Sequence, residues 1–317
     1  MGINSFIVAV SSAAGPTIAA AILSVASWKW LFLINVPIGI LALLLAIRFL
    51  PPNQQKSQGQ RFDIPSAIMN ALTFGLLISA ISGFAQGQSG WLIISELVAL
   101  AVIGFFFIRR QLKLPFPLLP VDLLRIPVFS LSMGTSVCSF AAQMLAMVSL
   151  PFFLQSTLGR SEVETGLLLT PWPIATMIMA PVAGHLIGRV HAGLLGGLGL
   201  VVMAFGLFAL ALLPHNPTDI DIIWRMLLCG AGFGLFQSPN NHTIISSAPR
   251  NRSGGASGML GTARLLGQSC GAALVALMFN LFAIHGTHAS LLLAGSFATI
   301  AAIVSSLRMS QFTTSQA

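Results

Sequence analysis

The sequence predicts an all-α, polytopic membrane helix bundle, and three observations carry that prediction. Hydrophobic residues make up 56% of the 317 residues and charged ones only 7%, against about 25% charged in a soluble domain, so the chain cannot clothe a globule in water. About ten apolar runs reach the roughly 20 residues needed to cross a bilayer. The basic residues gather in alternate connections between those runs.

Spans are expected at 3–26, 31–50, 64–84, 91–108, 129–151, 165–187, 192–213, 221–247, 255–283 and 289–307. The first is rich in small residues, and no Lys or Arg precedes it, so a cleaved signal peptide is not expected. Trp28 and Trp30 open the second, while Trp91 and Trp224 stand near the starts of the fourth and eighth, where Trp anchors a helix at the membrane interface. Prolines inside the spans, including Pro16, Pro37, Pro171, Pro173, Pro181 and Pro239, together with many glycines, suit helices that pack closely and bend around a cavity.

Arg48, Lys56, Arg61, Arg109, Arg110, Lys113, Arg125, Arg189, Arg250, Arg252 and Arg308 fall on one side of these spans, and only Lys29 and Arg160 lie in loops on the other. The positive-inside rule then puts both chain ends in the cytoplasm. The net charge of +8 is spread over short polar gaps, so no nucleic-acid partner is expected; the partner that composition demands is the lipid bilayer. Cys138, Cys229 and Cys270 are far apart and inside apolar runs, which reads as helix packing, with neither a disulfide framework nor a metal site. No cofactor motif is visible.

Residues 15–22, GPTIAAAI, align with residues 267–274, GQSCGAAL, at an offset of 252 that also pairs Gly2 with Gly254 and Ser5 with Ser257. Parallel repeats of this kind belong to transporters built from two related helix bundles. Four spans precede the second copy and none the first, so about four leading helices are expected to be absent from this chain. Chance alignment of two helices rich in Gly and Ala is the competing explanation.

Several segments resemble the major facilitator superfamily, in particular its fourteen-span drug:proton antiporter branch. Ser11 to Ala20 is similar to the antiporter signature of the fifth helix, with Ser11, Ala19 and Ala20 standing where that pattern has glycine. Trp28-Lys29-Trp30-Leu31-Phe32-Leu33-Ile34-Asn35-Val36-Pro37-Ile38-Gly39 is similar to the run that opens the sixth. Leu150 to Gln155, Leu158-Gly159, Thr165-Gly166 and Arg252 to Gly258 look like parts of the second bundle. The resemblance implies that 1–50 holds the last two helices of the N-terminal bundle, 51–128 an extra helix pair with a cytoplasmic linker, and 129–317 a complete C-terminal six-helix bundle with a short tail. It further implies proton-coupled efflux of small amphipathic or cationic compounds through the inner membrane of a bacterium by alternating access. The family's first-helix acid and fourth-helix Arg have no counterpart here, so the chain alone is not expected to pump. A non-transporting membrane scaffold or ligand-binding subunit is the alternative.

No nucleophile with its base and no carboxylate pair is visible, so an enzyme is not expected. The informative residues are polar ones inside spans, which need a partner or a wet cavity. Gln237, Asn240 and Asn241 sit at helical spacing on the eighth span, either as a cavity wall or as interhelical glue. Arg264 and Gln268 form an i,i+4 pair, with snorkelling to the interface the competing role for Arg264. Met144, Met147, Met177 and Met179, with Gln143 and Trp172, could offer a soft binding surface or ordinary packing. Asn35 joins the cavity candidates through the resemblance, and Gly15-Pro16 marks an expected bundle interface. Glu96, alone among carboxylates well inside a span, has a structural or interfacial role set against proton coupling.

Overall fold

A computed structural model describes residues 29–49, 63–114, 117–214, 216–249, 252–282 and 285–314, with isolated positions between 15 and 27. Among the described residues the chain is helical and forms no β-strand. In chain order the helices are α1 (Trp30–Leu33), α2 (Asn35–Phe49), α3 (Ile64–Ala85), α4 (Gly90–Gln111), α5 (Pro127–Phe152), α6 (Glu162–Leu169), α7 (Pro171–Leu186), α8 (Ala192–Ala211), α9 (Asp219–Ser247), α10 (Ser253–Leu281) and α11 (Gly286–Thr314). Eight helical segments have the length and apolarity to cross a membrane, α6 and α7 counting together as Glu162–Leu186. They correspond to eight of the ten expected spans. Helix α9, with 29 residues, is long enough to be the ninth, but its glycines and polar residues dilute its hydropathy. Most of the tenth, 3–26, lies outside the described residues, as does Pro16.

Local chemistry sets the helix boundaries. Asp63 caps α3, accepting from the Ser66 N–H, and proline stands in the first turn, where a missing N–H costs nothing. Reciprocal capping boxes start α6 (Ser161 with Glu164) and α9 (Thr218 with Asp221). Pro171 interrupts the run between α6 and α7. Helix α5 carries Pro151 and then runs into a π-turn at Phe153–Thr157, closed by the Leu158 N–H donating to the Phe153 carbonyl.

Six membrane-crossing segments, from α5 to α11, make one bundle: α9 packs on α7, α8 and α5, α11 on α8 and α5, and α10 on α5. Lipid offers no hydrophobic force between helices, so contact depends on close approach at small residues. A Cβ on Gly232 would lie 2.4 Å from the Met203 nitrogen and 2.5 Å from the Gly199 carbonyl oxygen. One on Gly230 would lie 2.1 Å from the Trp172 carbonyl oxygen. On α10, Gly267 and Gly271 meet the α5 backbone in the same way. The three cysteines are free, and Cys229 is buried against Gly206. Gly15 is exposed and helical, and no described atom lies within 4 Å of a Cβ built on it.

Helices α3 and α4 form an antiparallel pair that docks on α10. At the end where the Arg and Lys residues collect, here termed the basic end, Arg110 Nη2 donates to Asp63 Oδ1 at 2.8 Å and its Nε to Ser66 Oγ at 3.1 Å. Gln111 Nε2 also donates to Ser66 Oγ, and the Leu119 N–H returns to Gln111 Oε1. The hydrogen bonds from Arg110 and Ser66 hold the Asp63 carboxyl at about 2, below its usual 3.8. Its contribution is therefore complete above pH 3.8 and lost as pH falls through about 2. Thermal unfolding in detergent should show no Asp63-dependent change between neutral pH and pH 5, and an Asp63→Asn variant should match the parent only in strong acid.

Packing makes a second expectation. Replacing Gly230 by Ala drives a methyl into the Trp172 backbone and should cost about 1–3 kcal/mol, read as a lowered Tm, whereas Gly258→Ala, which meets open space within a helix, should not lower it and should raise it slightly.

Candidate functional site

Two groups of polar residues inside the bundle differ in how well they are satisfied. The first centres on Arg308, which is 2% exposed. Its Nη1 donates to Asn240 Oδ1 at 2.6 Å and to Ser132 Oγ at 2.8 Å, and its Nη2 to Ser305 Oγ at 2.5 Å. Asn240 Nδ2 donates to Ser136 Oγ and to the Ser132 carbonyl, Thr135 Oγ1 donates to Asn240 Oδ1, and Ser305 Oγ donates to the Gly193 carbonyl. Helices α5, α8, α9 and α11 are thus joined through one guanidinium. No carboxylate accepts from it among the described residues, and its Nε has no partner.

This arrangement corrects two expectations. Arg308 is a buried core residue and not a loop charge set by the positive-inside rule, because α11 continues past it to Thr314 and four helices enclose it. Asn240 does not share a cavity wall with Gln237 and Asn241. It points into the bundle while the other two are half-buried, since one residue further along a helix turns a side chain by about 100°. The network was not anticipated, yet Ser132, Thr135, Ser136 and Ser139 recur on one face of α5 at helical spacing, a pattern readable from the sequence alone.

The second group is unsatisfied. Gln143 on α5, Gln237 and Asn241 on α9, and Gln268 on α10 are half-buried, Arg264 is exposed, and none makes a side-chain hydrogen bond to another described residue. Phe140 ties them together. Its ring lies 5.4 Å from that of Phe233 on α9, edge to face, and 5.7 Å from the Arg264 guanidinium on α10. Gln143 follows Phe140 by three residues, Gln237 follows Phe233 by four, and Gln268 follows Arg264 by four. The seam between α5, α9 and α10 therefore carries most of the expected candidates at helical spacing from a Phe140–Phe233–Arg264 contact.

Other candidates go elsewhere. Trp172 is 1% exposed, belongs to the hydrophobic core and leaves its Nε1 without a partner, so it packs rather than lines a wall. Met144, Met147, Met177 and Met179 are half-buried, with Met144 against Gly271 and Met179 against Gly234. Asn35 is exposed and its Nδ2 donates to the Leu31 carbonyl of α1, one turn earlier. Glu96 accepts from Ser79 Oγ at 2.7 Å across the α3–α4 pair, outside the seam, while its other oxygen is buried without a partner. His242 lines a cavity of about 640 Å³ at the basic end, between the start of α5, the α7–α8 connection and the end of α9. A smaller cavity of about 440 Å³ at the opposite end is bounded by Pro151, Phe152, Gln155 and Ser156. No group of His, Cys, Asp and Glu suited to a metal occurs among the described residues.

A bundle of long apolar helices, closely packed at glycines and carrying an unsatisfied polar seam, is the construction of a membrane transporter. The Major Facilitator Superfamily model matches residues 1–272, and the chain belongs to that family of multi-pass membrane transporters. The chain is similar to the uncharacterized transporter YebQ of Escherichia coli (strain K12), 78% identical over 311 residues that make up 98% of this chain and 68% of that relative. The riboflavin transporter RibZ of Clostridioides difficile (strain 630) is 28% identical over 88% of this chain and 60% of its own length. The multidrug resistance protein Stp of Mycobacterium tuberculosis (strain ATCC 25618 / H37Rv) is 27% identical over 87% and 51%. The chain thus spans between about half and two thirds of the length of these relatives.

The Arg308 network yields a ranking. Asn240→Leu removes acceptors from a charge that stays buried and should cost about 3–5 kcal/mol, whereas Arg308→Met removes the charge itself and should cost less. Unfolding midpoints of the two purified variants in one detergent check the order.

Proposed function

We propose that this chain is the cavity-bearing second half of a proton-coupled exporter of amphipathic compounds, working by alternating access between two bundles. The observation that carries the reading is the α5–α9–α10 seam, where Phe140 meets Phe233 and Arg264 and where Gln143, Gln237, Asn241 and Gln268, on helices long enough to cross a bilayer, lack hydrogen-bond partners among the described residues. Such groups are costly in hydrocarbon unless water or a ligand satisfies them. Relatives named as a multidrug resistance protein and a lincomycin resistance protein support export of foreign compounds. In this reading both termini face the cytoplasm, the membrane is a bacterial inner membrane, 129–317 is the second bundle, and Gly15-Pro16 meets the partner bundle.

The charge of the seam refines the substrate class. Its one ion is Arg264, so it favours amphipaths with a neutral or anionic polar group. A cationic substrate and the coupled proton would need carboxylates from outside this seam, since Glu96 is engaged with Ser79 in the α3–α4 pair.

Efflux of a panel of fluorescent amphipaths, measured in cells expressing either this chain or this chain joined to the leading helices of its 78% identical relative, tests the reading. Gln237→Ala and Arg264→Ala in the joined form should each slow efflux about tenfold, corresponding to one lost polar contact near 1.4 kcal/mol. Unchanged efflux in both variants, or efflux indifferent to collapse of the proton gradient, would overturn it.

A further inference from the structure

The cavity at the basic end has a composition that efflux does not explain. Arg189, His191 and His242 bring cationic or protonatable groups to it, and no carboxylate is among its lining residues. The side chains of Arg189 and His242 make no hydrogen bond or ion pair with a described residue. The nearby acids are engaged: Asp63 holds Arg110, and Asp122 holds Arg252 through both oxygens. One helical turn deeper lies the Arg308 charge. Val128 of the cavity wall accepts from Ser132, and Thr243 of the wall follows Asn240 by three residues. The site therefore presents positive potential from its rim and from beneath its floor.

The rest of the lining is apolar, with Ile126, Val128, Ile187 and Val190 beside the cations. Helices α7 and α8 diverge from this point, each packing on α9 and scarcely on one another. Two exposed apolar rows descend from the cavity along them: Val182, Ile178 and Ile174 on α7, and Leu194, Leu198, Val201 and Phe205 on α8. The α8 row runs from Leu194 to Phe205, a rise of about 16 Å at 1.5 Å per residue, which is close to half the roughly 30 Å hydrocarbon thickness. A cationic pocket heading an apolar track one leaflet long has the shape of a phospholipid.

We infer that this cavity binds the phosphate of an anionic phospholipid, with Arg189 and His242 at the headgroup and an acyl chain along the α8 row. A soluble phosphate would use the same cations without touching the apolar rows, whereas a phospholipid engages both at once. The inference does not depend on which compound the protein exports.

The test titrates the purified, delipidated chain with dioleoyl-phosphatidylglycerol or dioleoyl-phosphatidylcholine and reads bound lipid by native mass spectrometry. The wild-type chain should retain the anionic lipid at least about fivefold more tightly, the scale of one basic residue near a charged membrane surface. An Arg189→Gln, His242→Gln double variant should lose that preference, Arg189→Lys should keep it, and Arg160→Gln at the other end should keep it. Equal retention of both lipids by the wild type would overturn the inference without recourse to any variant. So would an equal loss in Arg160→Gln, or displacement of the anionic lipid by millimolar inorganic phosphate, which would make this a soluble-phosphate site.

Discussion

Contact between backbones at the glycines of α9 is the constraint on which the rest of the bundle depends. Between apolar helices in lipid there is little to gain from side-chain burial alone, so the helices must come close enough for dispersion contacts to accumulate. Gly230 faces α7, Gly232 faces α8 and Gly234 faces α7 again, each leaving too little room for a methyl group. That requirement accounts for the lowered hydropathy of α9, whose contact faces carry glycine and polar residues. Helix α2 by contrast is an almost unbroken run of aliphatic side chains, with no residue buried among the described ones.

Once α9 is fixed, it divides the polar residues of the bundle by role. Asn240 faces the four-helix junction, where Arg308, Thr135, Ser136 and the Ser132 carbonyl supply partners for its oxygen and its nitrogen. Gln237 and Asn241, a turn away in angle, find none. A satisfied network in low dielectric rigidifies, and an unsatisfied one invites a mobile ligand or water. The same helix thus carries a fixed structural junction and an adaptable surface about 100° apart. Arg264 extends the adaptable surface onto α10, where its contact with the Phe140 ring holds the guanidinium without a counterion.

Much of the architecture was legible in the sequence because hydropathy is a property of each segment by itself. The spans from 31–50 to 289–307 coincide with helices to within a few residues, and the break at Pro171 and the capped starts at Ser161 and Thr218 follow from local chemistry. The site was only partly legible, because it depends on which face of a helix meets which neighbour. Arg308 at the end of an apolar run is indistinguishable from a loop cation until α5, α8 and α9 are placed around it. Trp172 near a helix start reads as a wall residue, and only the approach of Gly230 shows it to be enclosed. Phe140 carries no signal at all in one dimension, although the Ser/Thr row beside it does.

The π-turn at Phe153–Thr157 has a bearing on descent as well as on shape. A wide turn of this kind holds one residue more than the α-helix would, the usual outcome when a single codon is inserted into a helix already committed to its neighbours. Upstream of it α5 packs on α9, α10 and α11, and the turn itself still buries Leu154 in the core while Gln155 and Ser156 border the small cavity at the end opposite the basic one. A residue gained or lost in this turn would therefore have to leave Leu154 in the core and fall on the exposed side that carries Gln155 and Ser156.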